Sequence, residues 1–149
     1  MLPPVIKTIT VPCPPNRAFE IFTGDLAAWW PADKHSVSAM SGNIARSVNA
    51  EAAKGGKIWE IDHTGARIDW GSFLDFDPHS HIRIAWHINQ PASKATEVAV
   101  RFDAQGTGTK VTLAHSGWEI LGEAAENTRN GYNGGWVHVF EEKYKAACQ

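Results

Sequence analysis

Hydrophobic and polar positions change period twice along this chain. "VIKTITV" (Val5 to Val11) alternates apolar and polar residues, as a half-buried strand does. "PCPPN" ends it, and its prolines suit the first turn of a helix better than a helix interior. "NRAFEIFTGDLAAWW" then reads as a helix broken at Gly24, with Phe19 and Phe22 before the break, Leu26, Trp29 and Trp30 after it, and Pro31 as its stop. From about Ile44 to His115 the period is two. In "RIDWGSFLDFD" the alternation places Ile68, Trp70, Ser72, Leu74 and Phe76 on one face, with Arg67, Asp69 and Asp75 on the other. In "HIRIAWHI" it sets Ile82, Ile84, Trp86 and Ile88 against His81, Arg83 and His87. Val98, Val100 and Phe102 follow inside the next strand, and Val111 and Leu113 inside the one after, with "AQGTG" as the turn between them.

From about Gly122 to Ala147 the period becomes helical. Tyr132, Trp136, Val139, Phe140, Tyr144 and Ala147 recur at three- and four-residue steps as one stripe, and His138, Glu141, Glu142 and Lys145 fall opposite. A strand, two short helices, six further strands and one long helix therefore make up residues 1–149, read as one domain. One-sided alternation joined by short turns predicts an antiparallel sheet, and the amphipathic helix must cover its apolar face. The fold class is α+β.

One feature resists this pattern. Gly134 and Gly135 stand directly before Trp136 in the long helix, although each interior helical glycine costs about 0.5–1 kcal/mol relative to alanine. Two explanations are open: a close backbone approach that leaves Trp136 free to wall a cavity, or relief of packing against the short helices.

Composition narrows the function classes. The chain is 43% hydrophobic and 20% charged, with a formal net charge of -2, a balance without general attraction for nucleic acid or anionic membrane. No apolar run approaches the ~18 residues of a membrane span, and "MLPPVIKTITVPCPP" lacks the pattern of a signal peptide. Cys13 and Cys148 are the two cysteines and have no CxxC spacing, so neither a disulfide framework nor a zinc site is suggested. A reducing cytoplasm is the default location. The unusual feature is tryptophan, at positions 29, 30, 59, 70, 86, 118 and 136. Each fully buried indole removes about 150–250 Å² from water, worth roughly 4–6 kcal/mol, and one or two would anchor a core of this size.

"LAAWWPADKHSV", "GGKIWEIDHTG", "DWGSFLDFDPHSHIRIAWHI" and "LAHSGWEILGEAAENTRNGYNGGWVHVF" together resemble the activator-of-heat-shock-protein-90-ATPase-like branch of the START-like (SRPBCC) superfamily. The resemblance spans nearly the whole chain in order. It implies the helix-grip fold, a curved antiparallel sheet wrapped round a long C-terminal helix with a cavity between them. Members of the superfamily bind lipids, hormones or polyketides, and some cyclise or hydrolyse substrates, so fold alone does not fix function.

Parity aims Trp70 and Trp86 inward, and Trp30, Trp118 and Trp136 lie in segments that should border the mouth of the sheet. Planar, rigid walls suit an apolar or aromatic ligand; the alternative is a filled aromatic core without usable space. Glu60 shares the parity of Ile58, so an inward Ile58 brings an inward carboxylate able to orient a ligand; the opposite register would leave it solvated. His35, after the Trp-Trp-Pro turn, and His115, at the end of an inward-facing strand, are pocket candidates, each with a structural hydrogen bond as its competing role. His79, His81 and His87 read as surface histidines, because nothing completes a ligand set at zinc spacing.

No GxSxG elbow is present, and "GTGTK" lacks Walker spacing, so no catalytic residue, metal or cofactor is assigned. The expected ligand-binding set is Trp30, His35, Glu60, Trp70, Trp86, His115, Trp118, Tyr132 and Trp136. The expected partner is a small hydrophobic or aromatic molecule. A chaperone is the rival partner, a cyclase or hydrolase using Glu60 or His115 is the rival activity, and a homodimer stays open.

Overall fold

The computed structural model describes residues 2–149. Strands β1 (Val5–Val11), β2 (Ser47–Ala50), β3 (Lys57–Ile61), β4 (Arg67–Asp77), β5 (His81–Trp86), β6 (Thr96–Gln105) and β7 (Gly108–Ser116) form one sheet in the order β1-β7-β6-β5-β4-β3-β2. Every pairing is antiparallel. The terminal helix grips the inner face of this curled sheet, which is the helix-grip fold. No helix among the described residues is long and apolar enough to cross a membrane.

The alternation holds where the ladder is regular. Ile82, Ile84 and Trp86, with Val98, Val100 and Phe102, and Val111 with Leu113, are all buried. It fails in β4, where Leu74 is 38% exposed and Phe73 is buried. Two bulges cause the change. Ile58 pairs with Gly71 and Trp59 with Asp69, which leaves Trp70 without a β3 partner. Phe73 pairs with Ile84 and Asp75 with Arg83, which leaves Leu74 without a β5 partner. Each extra residue resets the parity of the side chains beyond it. Trp70 and Gly71 thus both serve the inner side, and the missing side chain at Gly71 admits the neighbouring strand.

Three short helices, one more than expected, separate β1 from β2: α1 (Pro15–Thr23), α2 (Leu26–Trp29) and α3 (Val37–Met40). The third is a single turn, too short to show a period, and Ser36 caps it by accepting from the Ala39 N–H at 2.9 Å. After β7 the chain makes tight 3₁₀ turns over Trp118–Ala124, bent at Gly122, whose φ of 60° lies in the left-handed region. This bend explains why the long helix starts later than Gly122. It comprises α4 (Ala125–Trp136), a π-helical stretch over Val137–Tyr144 and α5 (Lys145–Ala147). Wider π turns carry more residues per turn than an α-helix, and they shift the phase of the stripe. Trp136, Val139, Phe140 and Tyr144 are buried as expected, but Cys148 takes the next inward place and Ala147 is exposed. The Tyr144 hydroxyl donates to the Ala18 carbonyl at 2.6 Å and ties the helix to α1.

The β4 bulge gives a direct test. A Cβ at Gly71 would lie 2.1 Å from the Ala85 carbonyl oxygen of β5. Gly71→Ala must therefore push two paired strands apart, and a loss of about 2–3 kcal/mol in chemical denaturation is expected. A neutral substitution would show that β4 and β5 are not paired in this register.

Candidate functional site

The core under the helix is packed aromatic on aromatic. Trp30 lies 5.2 Å from Trp70, 5.7 Å from Trp86 and 6.1 Å from Trp136 between ring centroids. The void left between sheet and helix at Phe22, Trp86 and Trp136 is only about 10 Å³, scarcely room for one water. Usable space lies instead at one end of the grip, in a partly open cavity of about 370 Å³. The loop after α2, the β5–β6 connection and one face of α4 enclose it. That volume falls within the range of small-molecule sites, roughly 300–1,000 Å³.

Five of the nine expected residues line this cavity: Trp30, His35, Trp86, Tyr132 and Trp136. The helix presents Thr128, Gly131, Tyr132, Gly135, Trp136 and Val139 to it, at three- and four-residue steps. Here the glycines find their explanation. A Cβ at Gly131 or Gly134 would meet nothing within 4 Å, and one at Gly135 would touch the His35 ring at 3.6 Å, an ordinary contact. Neither a close backbone approach nor crowding by the short helices requires them. Gly131 and Gly135 keep open the space that side chains would occupy.

Trp70, Glu60, His115 and Trp118 lie behind the wall rather than in it. Glu60 is fully buried and fully partnered. Its Oε1 accepts from the Val37 N–H at 2.6 Å and the Trp70 indole N–H at 2.9 Å. Its Oε2 accepts from the Ser38 N–H at 3.2 Å and the Ser38 hydroxyl at 2.9 Å. The carboxylate thus pins α3 to the sheet and has no free oxygen turned to a ligand.

His115 is equally occupied. Its Nδ1 accepts from the Trp136 indole N–H at 3.0 Å, so the neutral ring carries its proton on Nε2 and donates it to Thr96 Oγ1 at 2.7 Å. That hydroxyl donates onward to the Trp86 carbonyl at 3.2 Å. Burial pushes the His115 pKa down to about 3. Trp118 packs on the His115 ring at 4.1 Å. Among the described residues, its indole nitrogen is the one buried side-chain nitrogen or oxygen without a hydrogen-bond partner.

Tyr132 and His35 stand out among the polar lining residues. The Tyr132 oxygen accepts from the Trp86 indole N–H at 3.0 Å, and its own proton has no protein acceptor. Burial raises this phenol to about 12, against the opposing Trp86 hydrogen bond, so it stays a donor. The second is His35. Its backbone is fixed at both ends, with its N–H on the Pro31 carbonyl at 2.9 Å and its carbonyl taking the Trp30 indole N–H at 2.7 Å. Its Nε2 meets His138 Nδ1 at 3.0 Å, while Nδ1 stays free of protein partners. Burial first, and then His138, lowers its pKa.

Sequence reasoning placed His138 on the outer side of the helix and did not single out Thr96, Gly131, Lys34 or Lys94, which also contribute here. The glycine spacing was the one available signal. No group of three or more His, Cys, Asp or Glu side chains that could hold a metal ion occurs among the described residues.

Glu60→Gln would turn an amide NH₂ towards two donors. A loss of about 2–3 kcal/mol is expected in denaturation, and unchanged stability would remove the carboxylate from its structural role. His115 makes stability depend on pH. The unfolded ring binds a proton near its ordinary 6.5 and the folded ring only near 3, so its contribution is complete above pH 6.5 and is lost as pH falls from there towards 3. The slope reaches about 1.4 kcal/mol per pH unit. Imidazole ¹⁵N spectra should show an Nε2–H tautomer that does not titrate while the protein is folded; a folded-state titration near 6.5 would contradict this arrangement.

The fold agrees with comparisons to known proteins. No curated protein sequence matches the chain. Among solved structures, the anthrahydroquino-gamma-pyrone synthase Txn09 is 30% identical, with 89% of this chain and 88% of that one covered and a TM-score of 0.62. The self-sacrificing resistance protein CalC from Micromonospora echinospora is 24% identical over 98% of this chain and 94% of that one, with a TM-score of 0.68. The Aha1 dimer from Colwellia psychrerythraea is 17% identical over 99% and 96%, with a TM-score of 0.65. The family model for Activator of Hsp90 ATPase homolog 1-like protein matches residues 12–145. The chain belongs to that family.

Proposed function

We propose that this protein binds a small, planar aromatic molecule in the cavity at the end of the grip. The observation that carries this reading is the glycine-lined helix face. A twelve-residue α4 holds Gly131, Gly134 and Gly135, at about 0.5–1 kcal/mol each, and two of them border a cavity walled elsewhere by Trp30, Trp86 and Trp136. A helix serving packing alone would fill that space.

The walls suit a flat ligand. Trp30, Trp86, Tyr132 and Trp136 offer π faces set by hydrogen bonds of their own, and burial against such rings adds about 0.5–1.5 kcal/mol per favourable pair beyond area. The Tyr132 hydroxyl can donate to a ligand carbonyl. A relative at 30% identity whose printed name is anthrahydroquino-gamma-pyrone synthase lends support to a polycyclic aromatic ligand.

Anthraquinone, without hydroxyls, is a suitable first probe, read by quenching of tryptophan fluorescence. Saturable quenching is expected for the wild type. Gly131→Leu should block it while leaving thermal stability equal or higher, because leucine is the better helix former and points into open space. Quenching that does not saturate, or that is equal in Gly131→Leu, would defeat the reading.

A further inference from the structure

The cavity holds one titratable pair that apolar binding does not use. His35 lines it, and His138, on the π-helical stretch behind, meets His35 Nε2 through its own Nδ1 at 3.0 Å. The rings lie 5.1 Å apart between centroids. Two neutral imidazoles can share this contact in either sense. When His35 Nε2 donates, its Nδ1 presents a lone pair to the cavity; when His138 Nδ1 donates, His35 Nδ1 presents an N–H. The atom facing the ligand can therefore be acceptor or donor, and the partner ring decides which.

The surroundings fit an acidic ligand group. Lys34 and Lys94 stand among the lining residues, and no Asp or Glu does. Lys94 Nζ reaches the Ile120 carbonyl at 3.4 Å, which holds its charge beside the opening. Asp33 and Lys34 on the His35 loop act on its ring, and Glu141, which pairs with Lys7, and Glu142 follow His138 along the helix. His87 and Tyr132 complete the titratable lining. Gly135 leaves the His35 ring approachable, since even a Cβ there would stop 3.9 Å from Nδ1.

We propose that His35 and His138 form a proton relay that binds and ionises an acidic hydroxyl, phenolic or enolic, on an aromatic ligand in this cavity. The inference rests on the binding function proposed above and names its ligand class. The balance is simple. The hydroxyl O–H bond breaks and its proton goes to His35 Nδ1. The Nε2 proton of His35 passes to His138 Nδ1, and the half-buried His138 sheds a proton to water. The ligand remains as an oxyanion, hydrogen-bonded to the new Nδ1–H and stabilised by the two lysines. The lowered pKa of His35, from burial and from His138, keeps the ring neutral and able to accept near neutral pH.

The test compares anthraquinone with 1,2-dihydroxyanthraquinone, whose visible band shifts on ionisation, at a pH below the free dye's own ionisation midpoint. Wild-type protein should bind the dye and show the ionised band. His35→Gln should bind it about tenfold more weakly and show the neutral band. His138→Gln, which keeps a hydrogen bond but cannot take the proton, should bind the dye and show the neutral band. His138→Gln, outside the cavity lining, should bind anthraquinone as the wild type does, and both variants should keep the wild-type circular dichroism and melting profile, which shows that they are folded. A neutral band in the wild type, with anthraquinone bound, overturns the relay and spares the cavity. An ionised band that survives His138→Gln but is lost in Lys94→Gln assigns the ionisation to the lysines and also overturns it. Failure of the wild type to bind either compound removes the cavity reading and the relay together.

Discussion

A buried indole must place its N–H on an acceptor, and much of this structure follows from that demand. An unpaired polar group in an apolar interior costs about 1–3 kcal/mol, and six of the seven tryptophans are buried. Trp29 donates to the Ile21 carbonyl and Trp30 to the His35 carbonyl. Trp70 uses Glu60, Trp86 uses the Tyr132 oxygen and Trp136 uses His115 Nδ1. The buried acid, the buried histidine and the half-buried tyrosine are thus the acceptors that let an aromatic core exist. Two of them also reach a second element, Glu60 to α3 and His115 to β6. The same bonds that satisfy the indoles therefore fix the loops that shape the cavity.

This double use explains what could and could not be read in the sequence. Inward placement of Glu60 followed from the parity of Ile58, because β2 and β3 pair without interruption at Glu60. Its role did not follow, since three of its four donors come from α3, twenty-two and twenty-three residues away in sequence, on a helix too short to leave a period. Leu74 was misplaced because a bulge is a single residue without a compositional mark. Ala147 and His138 were misplaced for a related reason, since a 3.6-residue period drifts out of phase over the π turns of Val137–Tyr144. The seven strands and the covering helix were legible because burial on one face writes a period into every ladder. A cavity writes none. It is made of absent side chains, and Gly131 and Gly135 were its only trace.

Stability and openness compete on the same helix. Its inner stripe from Trp136 to Tyr144 is buried and tied to α1 through the Tyr144 hydroxyl, while the turns before it expose glycine to the cavity. Burial is densest from Trp136 to Tyr144, and the turns before it are held by fewer ties, Tyr132 against His115 and Arg129 on the Pro3 and Pro4 carbonyls. A helix divided in this way can lose local stability at one end without loosening the grip at the other. Site residues therefore stand on a rigid frame although part of the wall is intrinsically poor helix.

Trp118 is the exception among the indoles, and it shows why His115 must stay neutral. Its N–H lacks a partner, yet its ring is buried against the His115 face at 4.1 Å, with Tyr132 beside both rings, 4.6 Å from the histidine and 5.7 Å from the indole. The area removed from water, worth roughly 4–6 kcal/mol for a tryptophan, exceeds the cost of one unpaired donor, so the arrangement is net stabilising. Protonation of His115 would add a separate cost. A proton on Nδ1 would face the Trp136 indole N–H, donor against donor, and add an uncompensated charge to the interior. Trp136, which lines the cavity, would lose the acceptor that positions it, while Nε2–H would still donate to Thr96. His115 therefore acts on the cavity from behind, by holding two of its walls, while His35 lines it with Nδ1 free of protein partners.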